Sequence, residues 1–426
     1  MPAVSTQSVI PDMFKRIYKN RDLTNLSVRK TILGDKIASK PELVGESLTY
    51  PIHYGLGWGI HPTLNASTPA AKATYFSKWV IPCDQPSKLY GRLALDIPTM
   101  MRSASDVGSY MRLKNKELMN TLDNMKMQRK GVQLWSDGAM DIGRVKAVTG
   151  SNPVTSFTIT NFNDALKFDA SGHASNAVGQ TIVFNATRTG SAGTIKASTW
   201  KVTAVEIFDA NGDTKITVTR LTGSGGGVDP AANDYVYVEG FYDQGFKGIP
   251  AWIPLATPTS TAFYGVDRTK APEFLAGFRG SWEGTIRDSA SRTVSIMAPY
   301  FDPGNATLWL SPERWYQLHF ELKAENQLVI DDATTMKWGT SAMKLITPQG
   351  VIPVLSDAYA PKDAGYIIDH THMEYLTTGP MIHMADEDLE ALRLSDDDGL
   401  EIRIRSLALF RVDKPHTCGV FPISQS

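Results

Sequence analysis

At residue 139 the sequence changes character, and that change limits what the chain can fold into. Upstream, residues 103–136 carry one apolar stripe at helical spacing, Val107, Met111, Leu118, Leu122, Met125 and Val132. Ser103 or Ser105 can cap this helix, and Asp106 suits its positive end. Downstream, residues 139–245 are dominated by Thr, Val, Ile, Gly and Asn. They fall into six alternating segments: Arg144–Val148, Ser156–Thr160, Gln180–Ala186, Trp200–Phe208, Lys215–Leu221 and Asp234–Glu239. Turn formers separate the segments, notably Asp209-Ala210-Asn211-Gly212-Asp213 and the glycine run Gly223–Gly227. From 246 onward, helix and strand periods mix again. The chain therefore cannot be a helical bundle or a single sheet. The pattern predicts an all-β barrel or sandwich inserted between a long helix and an α+β remainder.

Composition narrows the class. A chain of 426 residues implies two or three domains, each able to bury a core. With 42% hydrophobic residues and 34 glycines, wholesale disorder, collagen and a coiled-coil rod are excluded. The formal net charge of −1 argues against a protein that coats nucleic acid by charge alone. Two cysteines, Cys83 and Cys418, fit a reducing compartment and exclude a disulfide scaffold. Met1 to Lys40 lacks the apolar stretch of a secretory signal. No run approaches the ~18–20 apolar residues of a membrane helix, so a cytoplasmic life is expected.

Charge is segregated along the chain. Residues 1–40 carry eight Lys/Arg against three Asp, whereas residues 381–401 carry eight acids against Arg393 alone. Residues 102–130 are again basic, with seven Lys/Arg against three acids. Such a chain can dock basic arms of one copy on acidic patches of the next, or pair its charges internally. Residues 1–45 read as an extended arm. In 46–101, Thr74–Pro82 and Lys88–Ile97 read as two arms of a long hairpin. Its aromatics, Tyr54, Trp58, Tyr75, Phe76 and Trp79, need a partner surface. The subunit-contact candidates are therefore Lys15, Arg16, Lys19 and Arg21 in the arm and Tyr54 and Trp58 in the hairpin. Asp386, Glu387, Asp388, Asp396, Asp397 and Asp398 are their acidic counterparts.

Enzyme signatures fail. There is no GxSxG, HExxH, Walker-type loop or dinucleotide GxGxxG ahead of a helix. Asp209, Asn211 and Asp213 begin like a calcium loop, but Thr214 and Arg220 stand where glycine and the bidentate Glu are required. His370 and His372 would share a face if Ile367–Met373 were a strand, and His383 follows. No fixed spacing makes the three a zinc set, and a structural or surface role is favoured. Neither a catalytic residue, a metal site nor a cofactor is expected.

The remaining elements are an Asn305–Leu310 strand, a helix begun by Ser311-Pro312-Glu313-Arg314 and running through Trp315, Leu318, His319 and Leu322, and strands at Lys344–Leu355 and Gly365–Asp369. An acidic hairpin around Asp396-Asp397-Asp398-Gly399 follows, flanked by Glu390–Leu394 and Leu400–Phe410. The order of arm, hairpin, long helix, β insertion and α/β remainder resembles tailed-bacteriophage major capsid proteins. So do Ala306–Leu310 with Ser311 to Trp315, the closing run Asp398 to Arg405 through Pro415, Gly419 and Val420, and the re-entry run Gly245-Phe246-Lys247-Gly248-Ile249-Pro250. The resemblance implies the lambdoid-prohead-type capsid fold. Residues 1–45 become its arm, 46–101 its extended loop and 102–138 the spine helix of its peripheral domain. Residues 139–245 become the insertion, 246–270 a peripheral strand, 271–375 the axial domain and 376–426 a return to the periphery. It further implies a non-catalytic shell subunit that forms hexamers and pentamers in a host cytoplasm and ends in the virion, around double-stranded DNA. Portal, scaffolding and decoration proteins are the implied partners, without a membrane. The alternatives are a nanocompartment shell protein of the same fold, or a β-rich carbohydrate-binding or tail-fibre-like protein.

Overall fold

Alternating apolar residues in two fully buried strands set the architecture. In Ala306–Leu310, Leu308 and Leu310 face one core and Trp309 the other; in Ala364–Asp369, Ile367 faces the first and Tyr366 and Ile368 the second. A computed structural model describes residues 31–43, 48–55, 78–80, 82–84, 86–98, 113–150, 153–159, 179–187, 195–206, 214–223, 229–259, 263–324, 329–330, 343–384, 392–393 and 399–423.

These two strands are central in a seven-stranded mixed sheet. Its order is Phe278–Arg279, Gly419–Pro422, Ala364–Asp369, Ala306–Leu310, Gly350–Ser356, Met343–Thr347 and Val329–Ile330. Helices Ile286–Met297 and Pro312–Ala324 cover one face through Ile286, Ala290, Val294, Leu318 and Leu322. Both start as their sequences dictate. The Thr285 hydroxyl accepts from the Asp288 amide at 3.1 Å, and Ser311 caps the second helix, accepting from the Arg314 amide at 3.4 Å.

The other face shares the main core with a six-stranded sheet built on the long strand Gly399–Val412. Met373–Thr377, Ser87–Asp96, His383–Met384 and Leu392–Arg393 all pair with that strand, and Ala38–Lys40 pairs in parallel with Met373–Thr377. Three boundary expectations change here. Strand Met373–Thr377 belongs to this sheet and not to the 271–375 unit. The last strand, Gly419–Pro422, joins the seven-stranded sheet instead of returning with 376–412. No strand spans 246–270 among the described residues; the segment opens with the short helix Ile249–Trp252.

The hairpin expectation is also corrected. Among the described residues, Ser87–Asp96 pairs not with 78–80 but with Gly399–Val412, antiparallel from Asp96↔Gly399 to Ser87↔Ala408. Burial decides the pairing, since Leu89, Leu93 and Leu95 need Ile402, Ile404 and Met125 to cover them. The pairs actually formed are Ile52–Gly55 with Lys78–Val80 and Leu48–Thr49 with Cys83–Asp84.

Helix Leu113–Met127 lies over that sheet and continues as a π-helical turn, Gln128–Val132. The stripe read from the sequence is divided between two cores. Leu118, Leu122 and Met125 pack on Leu89, Leu93 and Ile402, while Val132 enters the main core. Val107, Met111 and the caps lie outside the described residues. The wide turn rotates the helix face, so Arg129 points inward.

Strands Gly143–Thr149, Ser156–Ile159, Thr181–Asn185, Trp200–Glu206, Thr214–Arg220 and Tyr235–Val238 form a closed antiparallel barrel. Each lies within two residues of its segment in the sequence reading. The interior is filled by Phe157, Phe184, Trp200, Ile216 and Val236, with Phe157 and Phe184 in edge contact at 5.2 Å. The chain leaves and returns at one place. Gly245 N donates to Gly138 O at 3.2 Å, Gly248 N to Ser136 O at 2.9 Å, and Ile249 N to Leu134 O at 2.8 Å.

Candidate functional site: charged anchors and an exposed helix face

The segregated charges are partly satisfied inside the subunit. Arg129, fully buried, is one of the seven bases read as a basic helical stretch. Its Nη2 donates to the carbonyls of Ser87 at 2.8 Å and Ser406 at 2.7 Å. Its Nη1 donates to the Ser87 hydroxyl at 2.9 Å and Gln133 Oε1 at 2.7 Å, and Nε to the Ser406 hydroxyl at 3.1 Å. Burial lowers its pKa to about 9, so it keeps its charge at neutral pH. The group fastens the helix to two strands of the sheet.

The end of the expected arm is docked as well. Leu33 and Ile37, on or beside helix Ile32–Lys36, enter the main core. The Leu33 amide donates to Asp357 Oδ2 at 3.3 Å, and Asp35 binds Lys130 at 2.9 Å and Lys126 at 3.3 Å. Burial opposes ionisation of Asp35, but Lys130 and then Lys126 hold its carboxyl below the ordinary value. Lys40 and Arg411 both bind Glu374, the latter at 2.8 Å. Residues 31–43 are therefore part of the body, which corrects the reading of 1–45 as one extended arm. The reason is apolar: Leu33, Ile37 and Leu43 are all buried.

Of the contact candidates, Tyr54 is half-buried in strand Ile52–Gly55 and packs on the subunit's own main core. Lys15, Arg16, Lys19, Arg21 and Trp58 lie outside the described residues, as do Asp386, Glu387, Asp388, Asp396, Asp397 and Asp398. The strands flanking the acidic turn do pair, Leu392↔Glu401 and Arg393↔Leu400. Glu401, last acid of that stretch, is bound by Arg403 at 2.5 Å and by Arg92, and both guanidiniums hold its carboxyl below the usual range.

The histidines do not converge. His370 and His372 occupy a 3₁₀ turn and not a strand face, and His383 Nε2 accepts from Arg405 at 2.8 Å. Among the described residues no group of three His, Cys, Asp or Glu is placed to hold a metal, and no helix is long and apolar enough to cross a membrane. The turn 207–213 lies outside the described residues. Its flanking strands pair as a hairpin, Glu206↔Lys215.

The sequence reading missed one surface. Helix Pro312–Ala324 exposes Tyr316 (60%) and Phe320 (49%) as neighbours. Their i, i+4 spacing was the available signal, overshadowed by the stripe of Trp315, Leu318 and Leu322.

No protein-family model and no curated protein matches the sequence. Among solved structures, the chain is similar to the subunit in the cyanophage A-1(L) capsid asymmetric unit. The TM-score is 0.52 at 9% identity, over 98% of this chain and 99% of that one. The fold is that of a phage capsid. Two further likenesses are weaker. The capsid of a native GTA particle gives a TM-score of 0.47 at 9% identity, over 96% of this chain and 95% of that chain. The holo-SrpI encapsulin complex from Synechococcus elongatus PCC 7942 gives 0.46 at 7% identity, over 99% and 95%.

Proposed function

We propose that this chain is a tailed-phage major capsid protein. It assembles as hexamers and pentamers into an icosahedral shell around double-stranded DNA, without catalysis or a cofactor. One observation carries this: the fold matches a phage capsid subunit from end to end, with no large part of either chain left over. In this reading the six-stranded sheet and helix Leu113–Met127 form the peripheral domain, and the seven-stranded sheet with its two helices forms the axial domain. The barrel is an insertion, supported by the hydrogen bonds that join the outgoing and returning chain segments. The basic segment 1–30 is the arm, 48–84 the extended loop, and portal, scaffolding and decoration proteins are the further partners.

Negative-stain images of the purified full chain test the reading. Closed shells of uniform diameter are expected, and monomers or fibres at all concentrations would overturn it. Particles purified from the producing cell separate a genome shell from a nanocompartment: nuclease-protected double-stranded DNA supports the former, enclosed protein cargo the latter.

A further inference from the structure

Helix Pro312–Ala324 leaves four positions exposed: Glu313, Tyr316, Phe320 and Lys323. Their spacings of three, four and three place them in one stripe, about 15 Å long at ~1.5 Å per residue. The opposite side of the helix is fixed by Leu318 and Leu322 in the core, and Trp315 stacks on His319. The Tyr316 and Phe320 rings meet edge to face, with centroids 4.5 Å apart. Among the described residues nothing else covers them. Read along the helix, the stripe is acid, aromatic, aromatic, base, and it is symmetric about Leu318.

We propose that this stripe pairs antiparallel with the same stripe of a second copy of the chain, about a twofold axis beside Leu318. That axis sets Tyr316 against the partner subunit's Phe320 and, with the same register, Glu313 against the partner subunit's Lys323. Both relations repeat in the other direction, as a self-complementary contact requires. A parallel pairing would instead oppose Glu313 to itself and Lys323 to itself. Lys362 binds Glu313 from within the subunit at 3.0 Å and holds its carboxylate at the end of the stripe. The antiparallel arrangement also sets the two helix dipoles head to tail.

Two such stripes bury far less than the ~1,000 Å² of a free-standing interface. The contact therefore joins copies at high concentration or copies already gathered by other contacts. It uses each face once and links subunits two by two, which is a different event from closing a ring. The inference does not rest on the shell reading.

Site-directed cross-linking of the full chain tests it. Tyr316→Cys and Phe320→Cys are made separately, mixed, and treated with a short bis-maleimide; peptide mapping then locates the links. The mixture should give 316–320 links between chains, several-fold above either variant alone. Glu313→Lys in both variants should lower that yield several-fold, and adding Lys323→Glu should restore it. Links of 316 to 316 at equal yield, or no 316–320 link, would overturn the antiparallel pair, as would failure of the double reversal to recover. Sedimentation of Glu313→Lys beside Glu313→Lys/Lys323→Glu gives a cysteine-free reading of the same rescue. Shells without 316–320 links remove this inference alone, and links without shells remove only the proposed function.

Discussion

Arg129 reaches Ser406 twice, from Nε to the hydroxyl at 3.1 Å and from Nη2 to the carbonyl at 2.7 Å. The same Nη2 also serves the Ser87 carbonyl on the adjacent strand, so one side chain closes the helix onto both strands. Lysine offers a point charge and cannot reproduce this fork. Arg129→Lys and Arg129→Met should both lower stability, by at least ~2 kcal/mol, because buried carbonyls and hydroxyls lose their donor. Thermal unfolding measures this. A change below ~0.5 kcal/mol would show that water replaces the guanidinium at no cost.

Gly248 marks where the chain returns from the barrel. A Cβ placed there would lie 2.3 to 2.6 Å from the carbonyl oxygens of Leu134, Gln133 and Ser136, all backbone atoms. Gly248→Ala should therefore cost at least the upper end of the ~1–3 kcal/mol typical of overpacking. Gly240→Ala is the control: its φ of +81° strains an alanine, but no atom lies within 4 Å of the new carbon. The chemical-denaturation midpoint should fall much further for the first variant than for the second.

The barrel strands were legible because their periodicity is local: each alternates inside and outside over a few residues between turn formers. The pairing of Ser87–Asp96 was not legible. Its partner lies three hundred residues downstream, and only burial of Leu89, Leu93 and Leu95 selects it. Arg129 looked like one more surface base in a basic helix, because the π turn that points it inward has no periodic signature. Gly131 sits in that turn because a Cβ would meet the Tyr359 ring at 2.7 Å. The charge segregation was visible, but whether a given charge pairs inside or between subunits depends on tertiary position. Asp35, Lys40 and Glu401 are already paired within the body.

Gly138 and Gly245 are hydrogen-bonded neighbours, which makes the barrel removable. Deleting residues 139–244 and joining the ends with a short flexible linker should leave a folded body whose circular dichroism loses β signal. The excised segment 139–245 should in turn unfold cooperatively, since its interior is closed by its own side chains. A random-coil spectrum for the segment, or aggregation of the truncated body, would show that each needs the other.

The proposed assembly should carry a salt-dependent step through Lys15, Arg16, Lys19 and Arg21. Individual surface pairs contribute only ~0–1 kcal/mol, so single substitutions should have little effect. Reversing all four to Glu should slow assembly, followed by light scattering without DNA, and leave the melting temperature within about 1–2 °C of wild type. If the reversed variant forms empty shells at the normal rate but fails to retain DNA, the arm acts on nucleic acid instead.

His416 gives the body a defined pH response. Its ring sits 5.3 Å from both Phe274 and Tyr300, edge-on to the latter. Burial, aided by Lys414 and His372, lowers its pKa from 6.5 to about 4. Between those values the unfolded chain takes up a proton that the folded chain refuses. Stability therefore falls as pH drops from about 6.5 toward 4, and is independent of this group above that window. Because the ring is partly solvent-accessible, screening reduces the effect below the full linkage value. His416→Phe keeps an aromatic ring against Phe274 and Tyr300 and removes the titration. Melting temperatures at pH 7.5 and 5.0 should then differ less for the variant than for the wild type, the gap arising at the acid end. Identical pH dependence in the two proteins would mean that the imidazole finds enough water in the folded state to protonate normally.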